Sequence, residues 1–114
     1  MSEGDDIERI AAVLEDPTAR TILTETHSEP MSASTLSDRC GVSEPTIYRR
    51  LEDLRACELL VERTQPDLDR GHHRTMYASN FERLTIELHD GRLELQVERR
   101  EDLADRFTRL IEGI

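Results

Sequence analysis

Between two stretches of helical periodicity the chain places Cys40-Gly41-Val42-Ser43, and this joint constrains the fold more than any other feature. Leu36 and Cys40 lie four residues apart and share a helical face, so a short helix opened by Ser34 or Ser32 should end near Cys40. Gly41 follows, and glycine accepts the left-handed conformation after a helix at little cost. Ser43 is placed to cap a longer helix from about Glu44 to Cys57. Within it Ile47, Leu51 and Leu54 recur at i, i+4 and i+7 and form a buried stripe.

Upstream, Ile7, Ile10, Val13 and Leu14 predict a first helix over about Asp6 to Glu15. Asp16-Pro17 then punctuates the chain, because Asp is a good N-cap and Pro suits a first helical turn. A second helix should run from there to about Thr26 on the stripe Ala19, Ile22 and Leu23, with His27 to Pro30 as a loop. Downstream, residues 59–64 read as a strand, Pro66 to His73 as a polar tip, and 74–78 as the returning strand. A second hairpin is plainer. Leu84, Ile86 and Leu88 alternate with polar residues, Asp90-Gly91 is a two-residue turn signal, and Leu93, Leu95 and Val97 alternate beyond it. With the turn at that point Leu88 faces Leu93, Ile86 faces Leu95 and Leu84 faces Val97, which puts all six on one face. A last helix over about Glu101 to Glu112 carries Leu103, Phe107, Leu110 and Ile111. The chain has no internal repeat or low-complexity tract.

A short helix, a glycine turn and a capped helix followed at once by a hairpin make a helix-turn-helix with a wing. Such a helix enters the major groove and meets base edges with its N-terminal half. Opposite the buried stripe, the outward direction of the fourth helix passes through Pro45 and Arg49, with Thr46, Tyr48 and Arg50 on the flanks. Arg49 is the candidate for a base contact, since its fork pairs with guanine. Ser43 and Glu44 share the entering end, while Tyr48, Arg50 and Arg55 suit phosphates. Ser34 and Thr35 can offer hydroxyls or N–H groups to phosphate. In the wing, residues 63–77, the candidates for the backbone or minor groove are Arg70, His72, His73 and Arg74. Glu52 and Asp53 also face outward and would repel phosphates. Paired with these acids and Asp67, the arginines would instead form a solvated face.

Cys40-Gly41-Val42-Ser43 followed by Thr46-Ile47-Tyr48-Arg49-Arg50-Leu51 carries a family resemblance. So does Asp16-Pro17-Thr18-Ala19-Arg20 before Ile22-Leu23. Over residues 7–80 the chain resembles winged helix-turn-helix regulators of the ArsR-like group, particularly small haloarchaeal members. The resemblance implies an α+β winged helix-turn-helix domain over residues 1–80 that binds double-stranded DNA and regulates transcription. Glu58 departs from the glycine with which that family often ends the recognition helix. Residues 81–114 make a hairpin-and-helix extension. The apolar faces of its hairpin and helix need cover, which points to a homodimer built from the last and first helices, with the second hairpin as a further contributor.

Charge sets a condition on that function. All 15 basic residues are Arg, against 25 acids, for a net charge of −10, whereas DNA-binding domains normally carry a basic footprint. The acidity is unevenly placed. Residues 1–30 carry eight acids and two Arg, residues 31–58 five and four, residues 59–80 three of each, and residues 81–114 nine and six. The segment that would meet DNA is spared. A Lys-free acidic surface resembles that of proteins of halophilic archaea, and potassium or other cations would then sit at the DNA interface. The alternative is a winged helix that serves only as a protein-interaction module.

A metal- or redox-responsive regulator is a further alternative. Cys40 and Cys57 lie at core-like positions, where free Cys acts as a small hydrophobe. The paired-cysteine sensor motif of the family's third helix is absent, and His72-His73 has no Cys nearby, so no metal site or cofactor is expected. A redox role has the same weakness, since no close basic neighbour obviously favours the thiolate of either, although Arg39 adjoins Cys40. No Gly-rich phosphate loop or nucleophile elbow points to an enzyme. No apolar run approaches the roughly 18 residues of a membrane span. MSEGDDIERI lacks the order of a signal peptide, so the expected location is the cytoplasm.

Overall fold

Three helix starts are fixed by side chains that accept backbone N–H groups. A computed structural model of the chain describes residues 3–67, 72–100 and 111. Helix α1 spans Glu3–Glu15, α2 Pro17–Ser28, α3 Ala33–Cys40 and α4 Glu44–Ala56. Asp16 caps α2 by accepting from Ala19 N–H at 2.9 Å. Ser32, not Ser34, caps α3 and accepts from Thr35 N–H at 3.2 Å. Ser43 caps α4 and accepts from Thr46 N–H at 3.4 Å. Helix α2 runs two residues past its expected end because His27 and Ser28 continue the helical ladder to Glu29, the extended C-cap.

Two antiparallel hairpins follow. Strands β1, Leu60–Asp67, and β2, His72–Ser79, form the wing. Met31 joins the free side of β2 through an isolated bridge, with Met31 N–H donating to the Tyr77 carbonyl at 2.9 Å and Tyr77 N–H to the Met31 carbonyl at 2.8 Å. The wing is longer and its tip shorter than the sequence suggests. Pro66 does not end β1 but pairs with His73. As β1 lies at the sheet edge, a residue without an N–H is tolerated there. Strands β3, Phe81–His89, and β4, Arg92–Arg99, pair in the register expected from the alternation, Leu88 with Leu93, Ile86 with Leu95 and Leu84 with Val97. The turn is Asp90-Gly91, with φ of 51° and 75°, the doubly positive geometry of a two-residue hairpin turn. The expected last helix falls outside the described residues except for Ile111.

The core is one cluster. Ile10 and Val13 of α1, Ala19, Ile22 and Leu23 of α2, Leu36 of α3 and Ile47, Leu51 and Leu54 of α4 close on Leu59, Leu60 and Tyr77. Burying each large side chain contributes about 1.5–3 kcal/mol. Leu84, Leu95 and Val97 pack against the cluster from the second hairpin, half-buried. Of the six-residue apolar face expected to need cover, the described residues cover only the inner half, since Ile86, Leu88 and Leu93 are exposed.

Candidate nucleic-acid interface

Helices α3 and α4 are joined by a turn with its own bonds. Gly41 is left-handed with φ 67°, and its N–H donates to the Ser37 carbonyl at 2.9 Å. The Ser37 hydroxyl donates to the Val42 carbonyl and so ties the exit of the turn back to α3. Helix α4 ends on a second left-handed residue, Glu58, with φ 58°. Glu58 N–H donates to the Arg55 carbonyl at 2.9 Å and Leu59 N–H to the Leu54 carbonyl at 3.0 Å. These paired bonds satisfy carbonyls that a helix end otherwise leaves open, and apolar Leu54 and Leu59 close the motif from inside. Glutamate therefore fills the position where the family resemblance implies glycine, and the helix still stops there.

Arg99 holds the same end from outside. Its Nε donates to the Glu58 carbonyl at 3.0 Å and its Nη2 to the Cys57 carbonyl at 2.9 Å. Asn80 Nδ2 also donates to the Glu58 carbonyl, at 3.1 Å. Next along the chain, Arg100 donates to the carbonyl of His27 at 2.9 Å, in the last turn of α2, and pairs with Glu82 at 2.7 Å. A cation suits the negative end of a helix. Two consecutive arginines at the base of the second hairpin thus brace the C-terminal ends of α4 and α2.

The outer face of α4 holds the residues singled out from sequence. Glu44, Pro45, Tyr48 and Arg49 are exposed, and Thr46 is half-buried. Arg49 Nη2 donates to the Thr46 hydroxyl at 3.3 Å, which in turn lies 3.0 Å from the Ser43 hydroxyl. Arg49 makes no ion pair with a described residue. Arg50 differs. Its Nε lies 2.7 Å from Asp16 Oδ2, a close ion pair rather than an aligned hydrogen bond, and its Nη1 lies 3.9 Å from Asp53. Arg50 therefore links α4 to the cap of α2. The donated Ala19 N–H and the nearby Arg50 charge hold the Asp16 carboxyl below the usual carboxylate range, against the opposing effect of burial. Arg55 lies 3.6 Å from Glu62 on β1. Ser34 is exposed at the start of α3, and Thr35 accepts from the capping Ser32 hydroxyl at 3.0 Å. In the wing Arg74 is exposed. Arg70 lies outside the described residues, and only the backbone of His72 and His73 is described.

A family model described as a helix-turn-helix domain matches residues 14–63, the segment from the end of α1 through the start of the wing. Among solved structures, an ArsR-like transcriptional regulator from Rhodococcus sp. RHA1 is 31% identical, with 69% of each chain covered and a TM-score of 0.56. The chain belongs to the ArsR-like winged helix-turn-helix regulators. No curated protein sequence matches it.

This ArsR-like regulator has buried or half-buried thiols. Burial pushes both Cys40 and Cys57 above the usual thiol range, with Glu25 adding to the effect at Cys40. Raised thiols disfavour the thiolate that metal binding and oxidation require. Among the described residues no group of three His, Cys, Asp or Glu side chains is placed to hold a metal ion. Among the same residues no helix is long and apolar enough to cross a membrane.

Two residues of the regulator's surface escape a reading of the sequence. Asp16 is legible as a cap, but its ion pair with α4 is a tertiary contact without a local signal. Arg63, exposed on β1, shares a strand face with Arg74, because Arg63 pairs with Met76 and Gln65 with Arg74. Strand alternation was the signal available for it.

Proposed function

We propose that this ArsR-like regulator is a sequence-specific DNA-binding protein that acts as a homodimer. Helix α4 enters the major groove, and Arg49 reads a guanine from its N-terminal half. Tyr48 and the hydroxyls of Ser34, Thr35 and Ser43 line the neighbouring phosphates, with Thr46 steadying Arg49. Arg63 and Arg74, joined by Arg70, His72 and His73, carry the wing along the backbone or minor groove. Arg50 acts from behind, through Asp16, and sets how α4 projects. Residues 81–114 serve dimerisation.

One observation carries this reading. Arg49 is exposed on the half of α4 that the fold presents outward, and its only described partner is a threonine hydroxyl on its own helix. So weak a contact is readily given up for a bidentate pair with guanine, which discriminates against the wrong base by about 1–3 kcal/mol. Glu52 and Asp53, exposed further along α4, favour a second reading as a protein-interaction module. On the first reading these acids lie beyond the groove or are screened by potassium or other cations. Footprinting on genomic fragments in molar potassium chloride distinguishes the two. Protection of paired half-sites about 10 base pairs apart is expected of a two-fold dimer. Absence of any protected sequence, at every salt concentration tried, would leave the interaction module standing.

A further inference from the structure

Of the large apolar side chains left exposed, three sit together on one face of the second hairpin. Ile86 is 51% exposed, Leu88 75% and Leu93 53%. Ile86 pairs with Leu95 and Leu88 with Leu93. The three thus continue outward the row that Leu84, Leu95 and Val97 begin against the core. The opposite face is polar, with Glu87, His89, Arg92 and Glu94. His89 lies 3.7 Å from Glu94 and, near the turn, 3.5 Å from Asp90. Such alternation belongs to a sheet covered on one face and solvated on the other. Among the described residues the cover stops half-way along.

We propose that the outer half of this face docks on the same face of a second copy of the chain, with the two hairpins stacked about a two-fold axis. This deepens the homodimer reading above and rests on it. The area argues for a second copy. Ile86, Leu88 and Leu93 leave on the order of 300 Å² of contiguous apolar surface, within the roughly 300–600 Å² range of a monomer's largest apolar patch, which is often functional. In a two-fold contact the same strip is used on both sides, so each residue finds a partner of its own chemistry. A standard interface takes about 800 Å² per partner, so the strip is the apolar centre of a larger contact. Charge argues the same way. A chain of net charge −10 can approach its own copy at least cost where neither surface carries charge, and this strip is such a place.

The test is sedimentation of the full chain in molar potassium chloride, wild type against Leu88→Glu/Leu93→Glu. Both side chains are exposed in the protomer, so the variant should keep the wild-type far-ultraviolet circular dichroism. The wild type should sediment as a dimer, and the variant as a monomer with a dissociation constant raised at least about 100-fold, the equivalent of ~2.7 kcal/mol. A variant that dimerises as tightly as the wild type overturns the hairpin interface and leaves the homodimer reading intact. A wild type that stays monomeric at tens of micromolar overturns both. Should the variant lose its structure, Leu93→Cys treated with a short bismaleimide gives an independent readout. Cross-linked dimer is expected, and its absence from a sample that sediments as a dimer would overturn the proposal.

Discussion

Gly41 and Glu58 hold nearly the same backbone, with φ of 67° and 58°, at the ends of the two helices of the motif. Only one of them lacks a Cβ. A left-handed conformation costs a residue with a Cβ about 1–2 kcal/mol. The bonds at position 58 use its backbone, so Glu58→Gly keeps them and removes that cost, less the entropy that glycine adds to the unfolded chain. A Cβ at Gly41 meets no atom within 4 Å, so Gly41→Ala carries the conformational penalty alone. Urea midpoints at fixed high salt should show Glu58→Gly stabilised by roughly 0.5–1 kcal/mol and Gly41→Ala destabilised by about 1 kcal/mol.

Asp16 makes a prediction in pH. Its carboxyl titrates lower in the folded chain than in the unfolded one, through the Ala19 N–H first and the Arg50 charge after it. A depressed carboxylate contributes stability that is present above its unfolded value, near 3.9, and is lost as pH falls through the folded value. Asp16→Ala should cost about 1 kcal/mol at neutral pH, mostly as a lost cap. The difference between variant and wild type should shrink as pH falls below about 4. A constant difference down to pH 2 would show that the charge contributes nothing.

Among the elements, the second hairpin does more than extend the sheet. Its last strand delivers Arg99 to the open carbonyls of α4 and Arg100 to those of α2. Arg99→Ala should leave the fold standing but speed amide exchange over residues 54–59, where the end of α4 loses its outer brace. Stability should fall by about 1 kcal/mol, below the roughly 1.5–3 kcal/mol of charged hydrogen bonds because the site is partly exposed. Arg99→Lys should rescue little, since an ammonium cannot bridge two carbonyls as a planar fork does. Unchanged exchange in Arg99→Ala would mean that the paired backbone bonds alone hold the helix end.

The same elements mark where sequence was informative. Caps, glycine turn, buried stripes and the register of the second hairpin follow from local chemistry, and Asp16, Ser43, Gly41 and Asp90-Gly91 stand where that chemistry puts them. The length of the wing did not follow. Pro66 is read locally as a break, and only its place on an edge strand permits it. Nor did the half-covered hairpin follow, because alternation tells which face is apolar but not how far a neighbour extends over it. In the candidate interface, the outward placement of Arg49 was legible from helical phase. The tie of Arg50 to Asp16 was not, because it joins two elements more than thirty residues apart.

At the scale of the whole molecule, the acidic balance and the proposed function pull against each other. Ordinary DNA binding weakens steeply with salt because neutralised phosphates release their counterions. A chain of net charge −10, with Glu52 and Asp53 on α4, the proposed recognition helix, should instead take up cations where its acids approach phosphate. The salt slope should therefore be shallow or inverted. The most direct test of the account is fluorescence anisotropy on a DNA fragment selected by the wild-type protein and on a scrambled control, across potassium chloride up to the molar range. The wild type should prefer the selected fragment at every salt, and Arg49→Ala should lose that preference by about 1–3 kcal/mol while keeping its fold. An Arg49→Ala protein that discriminates as well as the wild type would contradict the assignment of α4 as the helix that reads DNA.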